Sequence, residues 1–424
     1  MNMTEKNHLA PVWSQLTGLK VASGSGAIVT TVDGEEYLDF TSGIAVTSTG
    51  HSHPKVVEAI QKQAARFIHA QVNIYIHDLL EPLAAKLNEI TPSSIDTFFF
   101  ANSGAEATEG SVKLAKAATK KPHIIVFQGS FHGRTAQTMA MTMAKTGYKA
   151  GYAPFPAGIY TSDFPDPFVT GLDEDATTKL ALKSFDQVLA TQTAPNETAA
   201  VVIELVQGEG GYRAASKAFV EGLYERCKDK GILFVADEVQ SGFGRTGKLF
   251  AVEHYGIEPD IMVMAKGIAS GFPFSAIGSS YELMEKWPVG SHGGTYGGNP
   301  IGAAAALATI DILTGEGFIE NVAARGEQLR SGLEELAKAY PAVGDVRGLG
   351  MMIGCAIVDP ATGEPDAGRV SAMLTHAREN GKVILLNAGT YNNIIRWMPP
   401  LIVTESQIAQ GLAAFEAALK ATEK

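Results

Sequence analysis

The sequence contains little cysteine: Cys227 and Cys355 are the only two among 424 residues. Cys227 falls in a helical pattern and Cys355 in an apolar strand pattern. This arrangement does not indicate the disulfide framework of a small secreted protein. Two free thiols suit a reducing compartment, so the sequence predicts a cytoplasmic protein.

Positive charge is also scarce. The chain has 34 Lys and Arg residues against 45 Asp and Glu residues, which gives a formal net charge of -11 at pH 7. Since no basic excess is available to neutralise phosphates, we expect neither nucleic acid nor an anionic membrane as a partner.

The sequence lacks long apolar runs. Its richest apolar segment, residues 301–313, is interrupted by threonine and aspartate and is shorter than the roughly 18 residues that a membrane span requires. Residues 1–9 are polar and mixed in charge, without the apolar core of a secretory signal. We therefore predict neither a membrane span nor export.

Glycine, by contrast, is abundant at 45 residues, which is typical of an α/β protein with many tight turns. Helical patterns at residues 105–119 and 217–230 separate several short apolar runs. This alternation predicts a mostly parallel sheet with both faces covered. The predicted strands are residues 97–100, 124–127, 200–206, 232–236, 261–265 and 275–278.

The chain length favours two domains. Residues 1–55 contain a predicted hairpin around Asp33-Gly34 and are expected to join the smaller domain. Residues 56–317 form the large domain with the parallel sheet. Residues 318–424 form a smaller α+β domain, in which Thr404 and Gln407 have the spacing of a capping box for the last helix.

Two charged residues directly follow predicted strands, where ligands of open α/β sheets bind. A carboxylate at Asp237 needs a cationic partner in apolar surroundings, and a protonated ring nitrogen of a cofactor is one such partner. Desolvation at Lys266 would lower the pKa of its amine, leaving it neutral and able to attack an aldehyde. A helix cap or salt bridge at Asp237 and a solvated lysine at 266 are the plainer alternatives.

Two further segments have features of phosphate sites. Ser103 and Glu106 have capping-box spacing, and Gly104 lets an anion approach the amides of the helix that begins there. Residues 293–300 form a glycine-dense loop in which Thr295 adds a hydroxyl. An ordinary helix cap and a flexible linker are the alternatives for these two segments.

Taken together, six segments resemble the class III, fold type I aminotransferases that depend on pyridoxal phosphate. The resemblance covers nearly the whole chain. One departure is Leu205, where the family usually has proline. The matching segments are Asn102-Ser-Gly-Ala-Glu106, Phe131-His-Gly-Arg134, Glu204-Leu-Val-Gln-Gly-Glu-Gly-Gly211, Asp237-Glu-Val-Gln240, Lys266 and Thr295-Tyr-Gly-Gly-Asn-Pro300.

The resemblance implies that Lys266 carries pyridoxal phosphate as a Schiff base while Asp237 pairs with the ring nitrogen. It also implies that Thr295 reaches the phosphate of a neighbouring subunit, in a homodimer or a dimer of dimers with shared active sites. No metal is expected, and His132 is expected to order the backbone at Phe131 and Arg134. The implied cofactor-binding residues are Ser103, Gly104, Ala105, Phe131, His132, Asp237, Val239, Gln240, Lys266 and Thr295.

The resemblance also assigns substrate contacts. Arg134 resembles the arginine that binds a distal carboxylate, and Arg396 resembles the one that binds an α-carboxylate. Glu209 is expected to pair with Arg396 for ω-amines and to swing away for α-amino acids. Ile44 replaces the tyrosine of the ornithine enzymes and favours 4-aminobutyrate. The implied reaction transfers the amino group of 4-aminobutyrate to 2-oxoglutarate, giving succinic semialdehyde and glutamate.

Several alternatives remain open from the sequence. Another class III ω-aminotransferase, of the acetylornithine/ornithine or ω-amine:pyruvate type, is the main one; an aminomutase and a non-catalytic cofactor-binding protein are further alternatives. Gly242-Phe-Gly-Arg-Thr-Gly-Lys248 has the glycine-lysine spacing of a nucleoside-triphosphatase loop, but Leu249 follows where a magnesium-binding Ser or Thr belongs.

The alternation of Met139, Met141 and Met143 predicts a buried strand.

Overall fold

The computed structural model describes residues 8–423, so the prediction for residues 1–9 lies almost entirely outside the described residues. The predicted hairpin is confirmed: its two strands pair antiparallel, and Gly34 adopts a φ of +87° in the turn. His53 caps the second helix, with Pro54 at its first position. The elements are β1 (Val21–Ser25), β2 (Ile28–Thr31), β3 (Glu36–Asp39), α1 (Ser42–Ala45), α2 (Pro54–Arg66) and α3 (Leu80–Ile90).

A seven-stranded sheet forms the centre of the molecule, and the predicted mostly parallel sheet is confirmed. Its order is β4-β12-β11-β10-β7-β5-β6, and only β12 runs antiparallel to its neighbours. The strands are β4 (Thr97–Ala101), β5 (His123–Phe127), β6 (Ile159–Ser162), β7 (Thr198–Ile203), β8 (Val206–Gln207), β9 (Arg213–Ala214), β10 (Leu233–Asp237), β11 (Ile261–Met264) and β12 (Ser275–Ser279); β8 and β9 pair separately.

Helices cover both faces of this sheet. Side chains on one face, such as Val126 and Val235, pack with Val112 of helix α4 (Gly104–Thr119). On the other face, Phe127 and Phe234 pack with Phe219 of helix α8 (Lys217–Lys230). Burial on both faces explains why these strands are continuous apolar runs in the sequence. The helices of this region are α4 (Gly104–Thr119), α5 (Ala136–Met141), α6 (Pro167–Thr170), α7 (Glu174–Thr191), α8 (Lys217–Lys230), α9 (Tyr281–Met284) and α10 (Pro300–Leu313).

The methionine-rich segment differs from its prediction. Met139 and Met141 lie in helix α5, so the predicted strand is wrong. The Thr138 hydroxyl accepts the backbone N–H of Thr135 at 3.1 Å at the start of this helix. Alanine, glutamine and methionine favour helix, and this local preference outweighs an alternation of only three methionines.

The C-terminal region contains a second sheet, of order β13-β14-β17-β16. Strand β15 instead pairs in parallel with β3 of the hairpin, Val383 opposite Leu38. The capping box at Thr404 and Gln407 is confirmed. The proposed division at residues 55/56 and 317/318 stays a prediction. The elements are α11 (Phe318–Ala339), β13 (Val343–Leu349), β14 (Met352–Ile357), α12 (Ala367–Glu379), β15 (Val383–Ile384), β16 (Leu386–Ala388), β17 (Ile394–Trp397) and α13 (Glu405–Ala421).

No single helix within residues 8–423 has the length and apolar character needed to cross a membrane. Helices α10 and α11 satisfy that requirement only as a pair, across a bend of 72°.

Candidate active site

A cavity of about 470 Å³ lies at the carboxyl ends of the central strands. It brings together most of the predicted site residues, although they come from distant parts of the sequence. Those that line it are Ser103, Gly104, Ala105, Phe131, His132, Arg134, Glu209, Asp237, Val239, Gln240 and Lys266. The sheet topology explains the convergence, because the ends of neighbouring parallel strands meet at one edge.

Lys266 lies two residues beyond Met264, the last residue of β11, and adopts a left-handed φ of +46°. Burial lowers the pKa of its amine more than the negative charges of Glu209, Glu204 and Asp237 raise it. An amine with a lowered pKa is available as a nucleophile and as a proton carrier near neutral pH.

Asp237 is the last residue of β10, and its carboxylate is bound from two sides. The His132 ring nitrogen Nδ1 lies 2.6 Å from Oδ2, and the backbone N–H of Val239 donates to Oδ1 at 3.1 Å. Burial alone lowers the pKa of His132, but the hydrogen bond and charge of Asp237 and the charge of Glu204 leave it above its ordinary value. The raised pKa favours a cationic His132 ring beside the Asp237 carboxylate.

The ring of His132 therefore does not act as predicted. We expected His132 to order the backbone at Phe131 and Arg134, but its ring binds Asp237. The Phe131 backbone N–H instead donates to Glu204 at 2.7 Å. A histidine ring beside a buried carboxylate gains more from that charged partner than from neutral backbone groups.

Glu204 is a residue of the cavity wall that the predicted site does not include. Its carboxylate accepts the backbone N–H groups of Phe131 at 2.7 Å and Gly208 at 2.9 Å. Burial raises the pKa of Glu204 to about 7. The same signal that identified Asp237, a carboxylate directly after a wholly buried strand, was available here, since Glu204 follows β7.

Helix α4 points its N-terminus at the cavity. Ser103 accepts the Glu106 backbone N–H at 3.2 Å, and the Glu106 carboxylate accepts the Ser103 backbone N–H at 2.9 Å, so the predicted capping box is present. A Cβ on Gly104 would lie 2.9 Å from Cγ1 of Val239, which accounts for the glycine. Helix N-termini of this kind bind phosphate groups.

Glu209 and Arg396 form a buried ion pair, with Arg396 Nη1 2.5 Å from Glu209 Oε1. The second carboxylate oxygen of Glu209 accepts the Tyr148 hydroxyl at 2.8 Å. Burial raises the pKa of Glu209, but the charge and hydrogen bonds of Arg396 and Tyr148 outweigh it and leave that pKa lowered. Arg396 is therefore neutralised by a partner within the protein.

Arg134 presents the opposite situation. Its guanidinium lies 4.7 Å from the centre of the Tyr148 ring and 5.9 Å from that of Phe131. Among residues 8–423 no carboxylate forms an ion pair with it. An arginine held by aromatic rings at the cavity wall is free to bind a carboxylate ligand in bidentate fashion.

Three predicted residues do not line the cavity. Arg396 forms an ion pair with Glu209 of the cavity wall but does not line the cavity itself. Thr295 lies on an exposed loop. Ile44 is 40% exposed in α1, a turn in which it has a φ of +68°, and its neighbour Val46 lines the cavity instead. Left-handed backbone at a β-branched residue is unusual and is found most often near functional sites.

The alternative loop at Gly242–Lys248 does not form a phosphate cradle. The segment that follows it is a short 3₁₀ turn, Ala251–His254, rather than an α-helix whose N-terminus could bind phosphate. Lys248 is exposed. Arg245 is buried and donates to the carbonyl oxygens of Met351 and Pro399, so the loop links the two regions of the fold.

Within residues 8–423, no three His, Cys, Asp or Glu side chains are grouped to hold a metal ion.

The cavity fits a phosphorylated pyridine aldehyde. Lys266 would supply an amine for the aldehyde, Asp237 a carboxylate for a ring nitrogen, and α4 an N-terminus for the phosphate. The buried Gln240 Oε1 has no hydrogen-bond partner among residues 8–423, so the amide remains available to a ligand. The fold and this site define a pyridoxal-phosphate enzyme of fold type I.

Comparison with known proteins identifies the family. Residues 9–419 match the family model described as aminotransferase class III. A probable 4-aminobutyrate aminotransferase of Bacillus subtilis is 40% identical, covering 94% of this chain and 92% of the relative. A 5-aminovalerate aminotransferase of Pseudomonas putida is 39% identical, covering 95% and 93%. The chain belongs to the class III aminotransferases.

The fold agrees with this assignment. A crystal structure of a PLP-bound amine transaminase from an uncultivated Pseudomonas species superposes with a TM-score of 0.90 at 28% identity, covering 99% of both chains. Pyridoxal phosphate is therefore the cofactor, and an amino donor and a keto acid are the substrates. None of the comparisons points to a nucleoside-triphosphatase.

Proposed function

We propose that this aminotransferase moves the amino group of 4-aminobutyrate to 2-oxoglutarate, giving succinic semialdehyde and glutamate. The observation that carries the proposal is the contrast between the two arginines. Arg396 is neutralised by Glu209, whereas Arg134 has no carboxylate partner among the described residues. The cavity thus offers one unpaired guanidinium, which suits a donor whose single carboxylate is distant from its amine.

The second substrate requires a rearrangement of Glu209. Both 2-oxoglutarate and glutamate carry two carboxylates, so Arg134 binds the distal one and Arg396 the α-carboxylate. Glu209 must leave Arg396 for this to happen, because a retained Glu209 would place two carboxylates against one arginine.

Pyridoxal phosphate, when bound, supplies an aldehyde carbon for the donor amine and a ring that accepts the electrons left by a departing proton. Side chains of this protein supply the proton transfer and the contacts to the ring. The Lys266 amine, its pKa lowered by burial, would move a proton between the substrate carbon and the cofactor. Asp237, held by His132, would pair with the ring nitrogen, and Phe131 and Val239 would pack against the ring.

The main alternative is a different ω-amino donor. The 5-aminovalerate relative is as similar as the 4-aminobutyrate relative, and the two donors differ by one methylene. A methylene in an apolar pocket is worth about 1–3 kcal/mol, so the preference is measurable as a ratio of kcat/KM.

The test is steady-state kinetics with 2-oxoglutarate as acceptor and 4-aminobutyrate, 5-aminovalerate, ornithine or a diamine as donor. We expect 4-aminobutyrate to have the highest kcat/KM, by about tenfold over 5-aminovalerate. Arg134→Gln should reduce kcat/KM for 4-aminobutyrate by roughly 100-fold because a charged hydrogen-bonded contact is lost. Arg66→Gln, a surface arginine paired with Asp78, is the control. A higher value for 5-aminovalerate, or diamine turnover independent of Arg134, would support the alternative.

We also infer that the enzyme is a cytoplasmic homodimer or dimer of dimers in which Thr295 serves the partner's site. In support, the Thr295 loop lies beside exposed rings and apolar side chains. The His69 and Tyr296 ring centres lie 5.2 Å apart in a tilted arrangement, and the nearby Ile74 and Ile76 are 70% and 95% exposed. Exposed apolar clusters of this kind favour association. A monomeric mass in sedimentation equilibrium would contradict this inference.

A further inference from the structure

Tyr148 lies between the two arginines of the active site. It ends the short 3₁₀ turn Thr146–Tyr148, which follows helix α5. Its ring face meets the Arg134 guanidinium at 4.7 Å, and the Phe131 ring meets it edge-on at 5.2 Å. Its hydroxyl donates to Glu209 Oε2 at 2.8 Å. One side chain therefore contacts the distal-carboxylate arginine and the residue that neutralises the other.

We propose that Tyr148 is a specificity-determining positioning residue that latches Glu209 onto Arg396. This inference rests on the proposed function. In the latched arrangement each carboxylate oxygen of Glu209 has its own partner, Arg396 for Oε1 and Tyr148 for Oε2. The latch stabilises the state that accepts donors without an α-carboxylate.

The latch acts on only one of the two states of Glu209. A hydrogen bond present in one state and absent in the other shifts their populations by its full free energy, and hydrogen bonds to charged groups are among the stronger ones. Removing the hydroxyl leaves Oε2 of a buried carboxylate without a partner. The latched state then loses stability, while the open state, which receives α-amino acids, does not.

The surroundings hold Tyr148 in place independently of Glu209. Lys145, at the start of the turn, places its amine 2.6 Å from Asn392 Oδ1 and 5.9 Å from the Tyr148 ring centre. Replacing tyrosine with phenylalanine retains the ring that contacts Arg134 and Phe131. Tyr148→Phe therefore removes the latch without removing the distal-carboxylate site.

The experiment measures kcat/KM separately for the 4-aminobutyrate and glutamate half-reactions in the holoenzyme. For Tyr148→Phe we expect the ratio of kcat/KM with 4-aminobutyrate to kcat/KM with glutamate to fall roughly tenfold or more, because the latched state loses population to the open state. Tyr152→Phe, the same substitution at a tyrosine 61% exposed in the following turn, should change neither. In a Glu209→Gln background, Tyr148→Phe should have little further effect on the ratio, because the latched carboxylate is already gone.

An equal loss in both half-reactions, or an unchanged ratio, would overturn the latch while leaving the proposed function intact. So would a full additional effect of Tyr148→Phe in the Glu209→Gln background. Failure of the unmodified enzyme to use 4-aminobutyrate would instead overturn the proposed function, and the latch with it.

Discussion

At the scale of the residue, the active site is built from buried charges that have partners. Asp237 has His132, and Glu209 has Arg396 and Tyr148. A buried charge without such partners would shift its pKa until it became neutral. Burial lowers the pKa of Lys266, which favours the neutral amine that its proposed role requires.

Glu238 is another buried carboxylate, and its pKa makes the stability of the protein depend on pH. Its carboxylate accepts the Val252 backbone N–H at 2.9 Å and the Ser241 hydroxyl, and burial raises its pKa to about 7. Because the folded-state pKa exceeds the unfolded one, this group's contribution to stability is present at low pH and is lost as pH rises through about 7. Between pH 6 and 8 the loss is on the order of 1 kcal/mol.

We therefore expect Glu238→Gln, which cannot ionise, to lose less thermal stability than the unmodified protein between pH 6 and 8. The difference in melting midpoint should be on the order of 1–2 °C. Glu204 titrates in the same range but is present in both proteins, so its effect cancels. Glu221→Gln, on the exposed side of α8, is the control. Parallel melting curves for Glu238→Gln and the unmodified protein would contradict the account.

The sequence was informative about residues that directly follow buried strands. Lys266 and Asp237 were identified because a charge at the end of an apolar run is unusual. Tyr148 was missed because it lies in a loop with no periodic pattern, and its contacts to Glu209 and Arg134 join segments far apart in the chain. Such long-range pairings leave no local signal.

At the scale of the element, the site depends on where strands end and helices begin. Helix α4 begins at the cavity with Ser103 as its cap, and α13 begins with the same capping-box arrangement at Thr404, outside the cavity lining. Of these two caps, only Ser103 lines the cavity. This allows the role of a cap in folding to be separated from its predicted role in holding the cofactor phosphate.

We expect Ser103→Ala and Thr404→Ala each to destabilise the protein by about 1 kcal/mol, because each removes a helix cap. Only Ser103→Ala should also raise the Kd for pyridoxal phosphate, by roughly tenfold, since a hydrogen bond to the charged phosphate is lost. Titration of the apoprotein with cofactor, alongside thermal melting, measures both effects. An equal Kd in the two variants would argue against a phosphate at α4.

Element prediction succeeded for strands buried on both faces and for helices with strong caps. Element prediction failed where the hydrophobic pattern covered only a few residues. Strand β6 was not predicted, and it lies at the edge of the sheet with partly exposed residues, so it lacks a continuous apolar run. Helix α5 was predicted as a strand because three alternating methionines imitate a period of two.

At the scale of the whole molecule, the first and last parts of the chain are joined. The N-terminal hairpin forms a sheet with β15, and Leu401 donates its backbone N–H to Ser48 at 2.9 Å. That residues 1–55 join the smaller domain stays a prediction. Thr295, which lies outside the cavity lining, is the predicted site residue whose role depends on the proposed partner subunit.

The most direct test of the central claim is the absorbance spectrum of the protein loaded with pyridoxal phosphate, with Lys266→Ala as a control. We predict a yellow band that disappears on addition of excess 4-aminobutyrate without a keto acid and returns with 2-oxoglutarate, and no such cycle in the variant. A band that 4-aminobutyrate leaves unchanged while ornithine or a diamine removes it would contradict the proposed donor. No yellow band in the unmodified protein, even with cofactor supplied, would contradict the role of Lys266 itself.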